Sequence, residues 1–150
     1  LNEVLEFQQY LPLPLEEVFS FFKNPHNLEA ITPANLNFHI LRISTPDIRE
    51  GTLIDYRLKI RGFPVHWQTQ IEEWQPPYRF VDTQLKGPYS LWHHTHSFEP
   101  LGEGVLMTDR VKFRLPLHWP GWIAAQGFVK NDVRKIFTYR RTKIPELLKF

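Results

Sequence analysis

The run His93-His94-Thr95-His96 gathers side chains that could move a proton or hold an ion. Imidazole titrates near neutrality, so two on one side of a strand suit acid/base work or charge recognition. In an extended chain residues i and i+2 share a face. His94 and His96 therefore point inward with Trp92 and Phe98, while His93 points to the opposite face and the surface. A later run sets Val105, Met107, Asp109, Val111 and Phe113 inward and leaves Thr108, Arg110, Lys112 and Arg114 outside. Asp109 then shares a wall with the two imidazoles. Between Arg79 and Leu85 the parity is open: either Phe80, Asp82 and Gln84 face inward, or Val81, Thr83 and Leu85 do. Tyr56, Leu58 and Ile60 take the inner face of one further strand, and Trp67, Thr69 and Ile71 that of another.

Ionisable groups on an apolar wall cost several kcal/mol unless they are paired. They can pair among themselves, with Asp82 or Asp109 orienting a histidine. Alternatively they fix the polar end of a mostly apolar ligand. That site is lined by Tyr56, Trp92, His94, His96 and Asp109, walled by Trp67 and Phe113, and joined by Asp82 and Gln84 if their strand has the first parity. A third option is general acid/base chemistry, in which His94 or His96 abstracts a proton beside a carbonyl and Asp109 steadies the ring. His94, His96 and Asp109 also offer three metal ligands, but the spacing matches no zinc signature and no metal is expected. There is no Cys, no nucleophile elbow and no phosphate-cradling loop, and Gly102-Glu103-Gly104 reads as a hairpin turn. No cofactor is expected.

The elements that position these groups follow from periodicity. Residues 2–10 alternate as a first strand. Leu15, Val18, Phe19 and Phe22 form one face of a short helix behind Pro14. Asn24-Pro25 opens a second helix that stops at Thr32-Pro33. Six strand candidates follow, over 36–44, 52–60, 65–74, 79–85, 89–99 and 105–115, separated by short turn signals at Pro46 to Gly51, Gly62-Phe63-Pro64, Pro76-Pro77, Gly87-Pro88 and Gly102 to Gly104. From about Trp122 to Leu148 the pattern is helical, with Val129, Val133, Ile136, Phe137, Ile144 and Leu148 as the apolar stripe and Pro145 expected to kink or end it. The order β-α-α-β6-α specifies an α+β fold in which a curved antiparallel sheet wraps a long C-terminal helix. A ligand would sit between the two, unless the 12 phenylalanines fill that space.

A chain of 150 residues with 42% hydrophobic content reads as one domain covering residues 1–150, too rich in aromatics to be disordered. A net charge of +2 gives no reason to expect a nucleic-acid partner. Lys130, Arg134, Lys135, Arg140, Arg141 and Lys143 read as the solvated face of the last helix, or as a surface for an anionic partner. No apolar run is long enough for a transmembrane segment and no secretory leader is visible. The absence of Cys fits a cytoplasmic setting. Trp119-Pro120-Gly121-Trp122 reads as rim packing, a gate over the cavity mouth, or a membrane-surface contact.

Several stretches carry a resemblance. Pro14-Leu15-Glu16-Glu17-Val18-Phe19 with Asn24-Pro25-His26-Asn27-Leu28, the strand-turn-strand Trp74-Gln75-Pro76-Pro77-Tyr78-Arg79-Phe80-Val81-Asp82, and Gly87-Pro88-Tyr89, Trp92-His93-His94 and Asp109-Arg110-Val111 resemble the START/Bet v 1-like (SRPBCC) superfamily, in particular its bacterial members. The resemblance runs along essentially the whole chain and implies the helix-grip fold. It also implies a cavity for a small hydrophobic or aromatic ligand such as a lipid, quinone or polyketide, because members carry such molecules and a minority are cyclases or dehydratases. Some members are modules fused to other domains, which allows a third reading as a protein-protein interaction module with a fusion or docking partner. Oligomeric state is left open.

Overall fold

The computed structural model describes residues 2–117 and 122–150. Strand β1 (Glu3–Leu11) leads into helices α1 (Leu15–Phe22) and α2 (His26–Ala30) and a 3₁₀ turn at Ala34–Leu36. Strands β2 (His39–Ile43), β3 (Leu53–Ile60), β4 (Phe63–Gln75), β5 (Arg79–Lys86), β6 (Leu91–Leu101) and β7 (Gly104–Arg114) form a meander, and α3 (Trp122–Leu148) closes the chain. The single antiparallel sheet has the order β1-β7-β6-β5-β4-β3-β2. Its first strand returns to pair with its last, from Glu3 opposite Phe113 to Leu11 opposite Val105.

Turn chemistry decides where the elements differ from the periodicity. Pro64 suggests a break, but Arg61 and Gly62 both take positive φ, 50° and 83°. That is the two-residue turn whose twist matches a hairpin, so β4 starts already at Phe63. The second helix is short, His26–Ala30, and β2 starts late because the 3₁₀ turn ends in left-handed Asn37. Strand β4 slips register against β5 between Ile71 and Glu73. A bulge inserts one residue and resets the alternation, so Ile71 and Trp74 both reach the core, where Trp74 packs on Phe19 and Phe80.

The core lies between the concave sheet and the helices. Val18 and Phe19 of α1 pack against Phe80, Phe98, Val105 and Met107. Val133 and Phe137 of α3 pack against Leu5, Val111 and Phe113. Pro145 neither ends nor breaks α3, which continues to Leu148. A proline at this position cannot bond the carbonyl four residues back. The freed Arg141 carbonyl instead accepts the side-chain amide of Gln9 at 3.0 Å, and Arg141 Nη1 donates to the Gln8 carbonyl at 3.0 Å. Strand β1 and the last turns of α3 are thereby fastened together.

Candidate functional site

Alternation along β6 and β7 places His94, His96 and Asp109 on the concave face, and β5 takes the parity that turns Phe80, Asp82 and Gln84 inward. Register then brings four ionisable groups together. Asp82 lies directly opposite His94, and Asp109 directly opposite His96. The strong contacts run along the diagonals: His96 Nε2 is 2.6 Å from Asp82 Oδ2 and His94 Nε2 is 2.8 Å from Asp109 Oδ1. His96 Nδ1 approaches Asp109 Oδ1 at 3.3 Å, whereas His94 Nδ1 stays 3.9 Å from Asp82 Oδ2, beyond hydrogen-bond reach. The imidazoles stack at 3.7 Å, with Phe80 on the outer side of His96 at 4.0 Å. His93 points to the opposite face and meets Glu72 at 3.2 Å.

Burial and pairing compete for each group. Burial pushes both carboxyls up, but hydrogen bonds and charge from the imidazoles outweigh it and hold Asp82 and Asp109 below the usual carboxylate range. Burial pushes His96 down, yet its bonds to Asp109 and Asp82 win and raise it. For His94 burial prevails, helped by the charge on His96, and the ring is lowered. The consistent assignment is two carboxylates, a protonated His96 donating from Nε2 to Asp82, and a neutral His94 donating from Nε2 to Asp109.

A cavity of about 170 Å³ opens beside this cluster, between the sheet, α1, α2 and the C-terminal half of α3. Engineered apolar cavities of about 150 Å³ accept a benzene ring, so the space suits a small ring system. Of the candidate residues, Tyr56, Asp82, His96 and Asp109 border it, among apolar neighbours such as Phe22, Leu28, Ile71, Phe80, Met107 and Ile144. The structure does not bring Trp67, Gln84, Trp92, His94 or Phe113 to that wall. His94 is sealed behind, edge-on to Phe137. Trp67, Trp92 and Phe113 form an aromatic block with Tyr89. Gln84 grips the backbone of Tyr89, donating to its carbonyl at 2.8 Å and accepting its N–H at 3.1 Å. A Cβ on Gly87 would lie 2.6 Å from Gln84 Oε1, so a larger residue there would have to push that amide aside.

Arg140 departs from the solvated basic face expected of this helix, on which Arg134, Lys135 and Arg141 do lie exposed. Arg140 borders the cavity, and its guanidinium lies 4.7 Å from the Phe137 ring centre. A signal for this existed: Val133, Phe137, Arg140 and Ile144 fall at i, i+4, i+7 and i+11, so Arg140 occupies the vacant place in the apolar stripe. Lys130 and Lys143 instead pair with Glu3 and Glu146, each at 3.2 Å. Trp119, Pro120 and Gly121 lie outside the described residues, and the gate reading with them.

Asp82, His94 and His96 can each present a ligand atom, all within 4.8 Å of one another. This trio takes its carboxylate from β5 rather than the Asp109 suggested by the sequence. Binding a cation there requires His96 to surrender the proton it shares with Asp82. The closed hydrogen bonds favour the ion-paired form.

No protein-family model matches the chain, and no curated protein matches it significantly. Solved structures do. The Zhui aromatase/cyclase from Streptomyces sp. R1128 superposes with a TM-score of 0.80 at 11% identity, covering 99% of this chain and 94% of that one. TTHA0849 from Thermus thermophilus gives 0.68 at 18% identity over 98% and 95% of the two chains. Major latex-like protein 151 from Panax ginseng gives 0.59 at 16% identity over 93% and 97%. The chain has the Bet v 1-like helix-grip fold. At these identities the likeness is one of fold.

Proposed function

We propose that this protein binds a small, mostly apolar ligand between the sheet and the C-terminal half of α3, as a carrier or sensor. The observation that carries the reading is the hollow itself: apolar walls with one ionisable end. A ligand present at one hundred times its Kd stabilises the folded state by about 2.7 kcal/mol, which raises Tm by several degrees in a chain of this size. Small aromatic and alicyclic compounds are expected to give that shift, and Ile71→Phe, which adds a ring to the wall, is expected to reduce it. An unchanged Tm across a broad panel at millimolar concentration rejects the reading.

A second reading is supported by His96, which borders the cavity and shares a short hydrogen bond with Asp82. In a cyclase- or dehydratase-type reaction, His96 with Asp82 would exchange a proton beside a substrate carbonyl while Asp109 holds the ring. The Zhui protein, described as an aromatase/cyclase, shares this fold. His96→Gln is then expected to abolish turnover while preserving the folded spectrum and apolar-ligand binding. Retention of full activity in that variant would remove His96 from the reaction.

A further inference from the structure

We propose that Arg140 and Tyr56 form a donor pair for one neutral carbonyl oxygen, so that the ligand is an apolar ring-bearing ketone, enone or quinone rather than a carboxylic acid. This rests on the cavity reading above and names the chemistry of its occupant.

The first ground is one buried donor without a partner on a half-buried guanidinium. A guanidinium carries five N–H donors and is costly to bury without acceptors. Arg140 Nε is shut away from solvent and has no hydrogen-bond partner among the described residues. Among the described residues no ion pair joins Arg140 to Asp82 or Asp109, whose ion-pair contacts are all with the imidazoles, Asp82 also accepting the Thr69 hydroxyl at 3.4 Å. The adjacent Arg141, by contrast, has the Gln8 carbonyl. Stacking on Phe137 satisfies the guanidinium face and leaves its edge for an acceptor. Tyr56 borders the same cavity, and its hydroxyl has no hydrogen bond among the described residues. The two groups are near enough for the charge on Arg140 to oppose the upward push that burial gives the Tyr56 phenol. Two donor groups on facing elements, α3 and β3, thus address one space.

The second ground is charge. Two carboxylates are matched by His96 and Arg140, with His94 neutral, so the cluster is balanced when empty. A carboxylate placed there adds an uncompensated buried charge beside two others. A carbonyl adds lone pairs and no charge. Lys23 and Arg141 also border the cavity, so an acid could be held at that side, but that pose does not need Arg140.

The test uses indane, 1-indanone and indane-1-carboxylate, which share one bicyclic frame, titrated calorimetrically into wild type, Arg140→Met, Arg140→Lys and Tyr56→Phe. In wild type 1-indanone is expected to bind about tenfold or more tighter than indane, the worth of hydrogen bonds from a charged donor, and tighter than the carboxylate. Arg140→Met should erase the preference, read as the ratio of the ketone's affinity to that of indane within the same variant. Arg140→Lys and Tyr56→Phe should each reduce it in part, and they decide the matter if Arg140→Met fails to fold. A ketone preference that survives all three variants, or an Arg140-dependent preference for the carboxylate, overturns the proposal. If indane binds but the ketone gains nothing, the donor pair is rejected and the cavity reading stands. If neither indane nor the ketone binds, both fall.

Discussion

The two ends of the concave face are built from the same strands and filled in opposite ways. At one end Trp67, Tyr89, Trp92 and Phe113 meet ring to ring, Tyr89 and Trp92 at 4.9 Å and Trp67 and Trp92 at 5.3 Å, with a second space beyond them against Tyr89, Leu115 and Val129. At the other, Phe80, Met107, Phe22 and Ile144 leave a hollow of about 170 Å³. Between them runs a belt of ionisable residues, Asp82, His94, His96 and Asp109. Along β6 the inner positions read Trp92, His94, His96, Phe98, so the belt sits mid-strand, between the two apolar ends. The arrangement teaches that aromatic content does not tell whether a helix-grip interior is filled, since the abundant rings concentrate at one end and merely wall the other.

The belt is the sharpest place to break this contrast. Asp109→Leu leaves His94 without its acceptor and His96 with only Asp82. Removing one partner of a buried ionic pair costs about 3–5 kcal/mol, and urea unfolding should show a loss of that size. A loss below about 1 kcal/mol, the net worth of an ordinary hydrogen bond, would mean the belt is wet.

The filled and hollow ends should differ next. Phe113→Ala, at a fully buried ring, is expected to cost about 3–5 kcal/mol. Ile71→Ala, on the cavity wall, should lie near the lower end of the roughly 2–5 kcal/mol range for aliphatic truncations, because its surroundings are already incompletely packed. Equal costs measured by the same unfolding curves would erase the distinction between the two ends.

Stability against pH separates the two imidazoles. His96 has a raised folded pKa, so its contribution is complete below the unfolded value of about 6.5 and is lost as pH rises through the folded value. His94 has a lowered one, so its contribution is present above about 6.5 and is lost as pH falls through the folded value. The carboxylates contribute above about 3.9 and lose that contribution as pH falls. His94→Gln is therefore expected to lose stability as pH rises past neutrality, and His96→Gln to lose that alkaline decline. Unfolding curves over a pH series, with imidazole titration by NMR, check both signs.

The smallest expected effect concerns the fastening at the rim of the hollow end. Gln9→Ala removes the donor to the carbonyl that Pro145 leaves free, a loss of about 0.5–1.5 kcal/mol. Hydrogen exchange should rise in the last turns of α3, with the aromatic block unchanged.

Much of this was legible before the structure. Strict alternation made the inward sets of β6 and β7 readable, because Arg110, Lys112 and Arg114 cannot share a face with Val111 and Phe113 in a core. On β5 both faces carry apolar and polar residues, so parity was undecidable until His96 supplied a partner for Asp82. The β4 bulge hid Trp74, since one inserted residue breaks a period of two without a sequence mark of its own. Gln84 looked like a site residue, but its amide completes the turn at Tyr89.

By itself the amino-acid sequence determined the element order, the helix-grip architecture and which side chains of β6 and β7 turn inward, because these follow from local periodicity and turn chemistry. Only the tertiary structure decided which inward residues border open space, that each aspartate bonds the diagonal imidazole, and that Arg140 faces the hollow with its Nε unpaired. Those outcomes depend on register between strands and on the path of α3 across the sheet, distances set by contacts far apart in the chain.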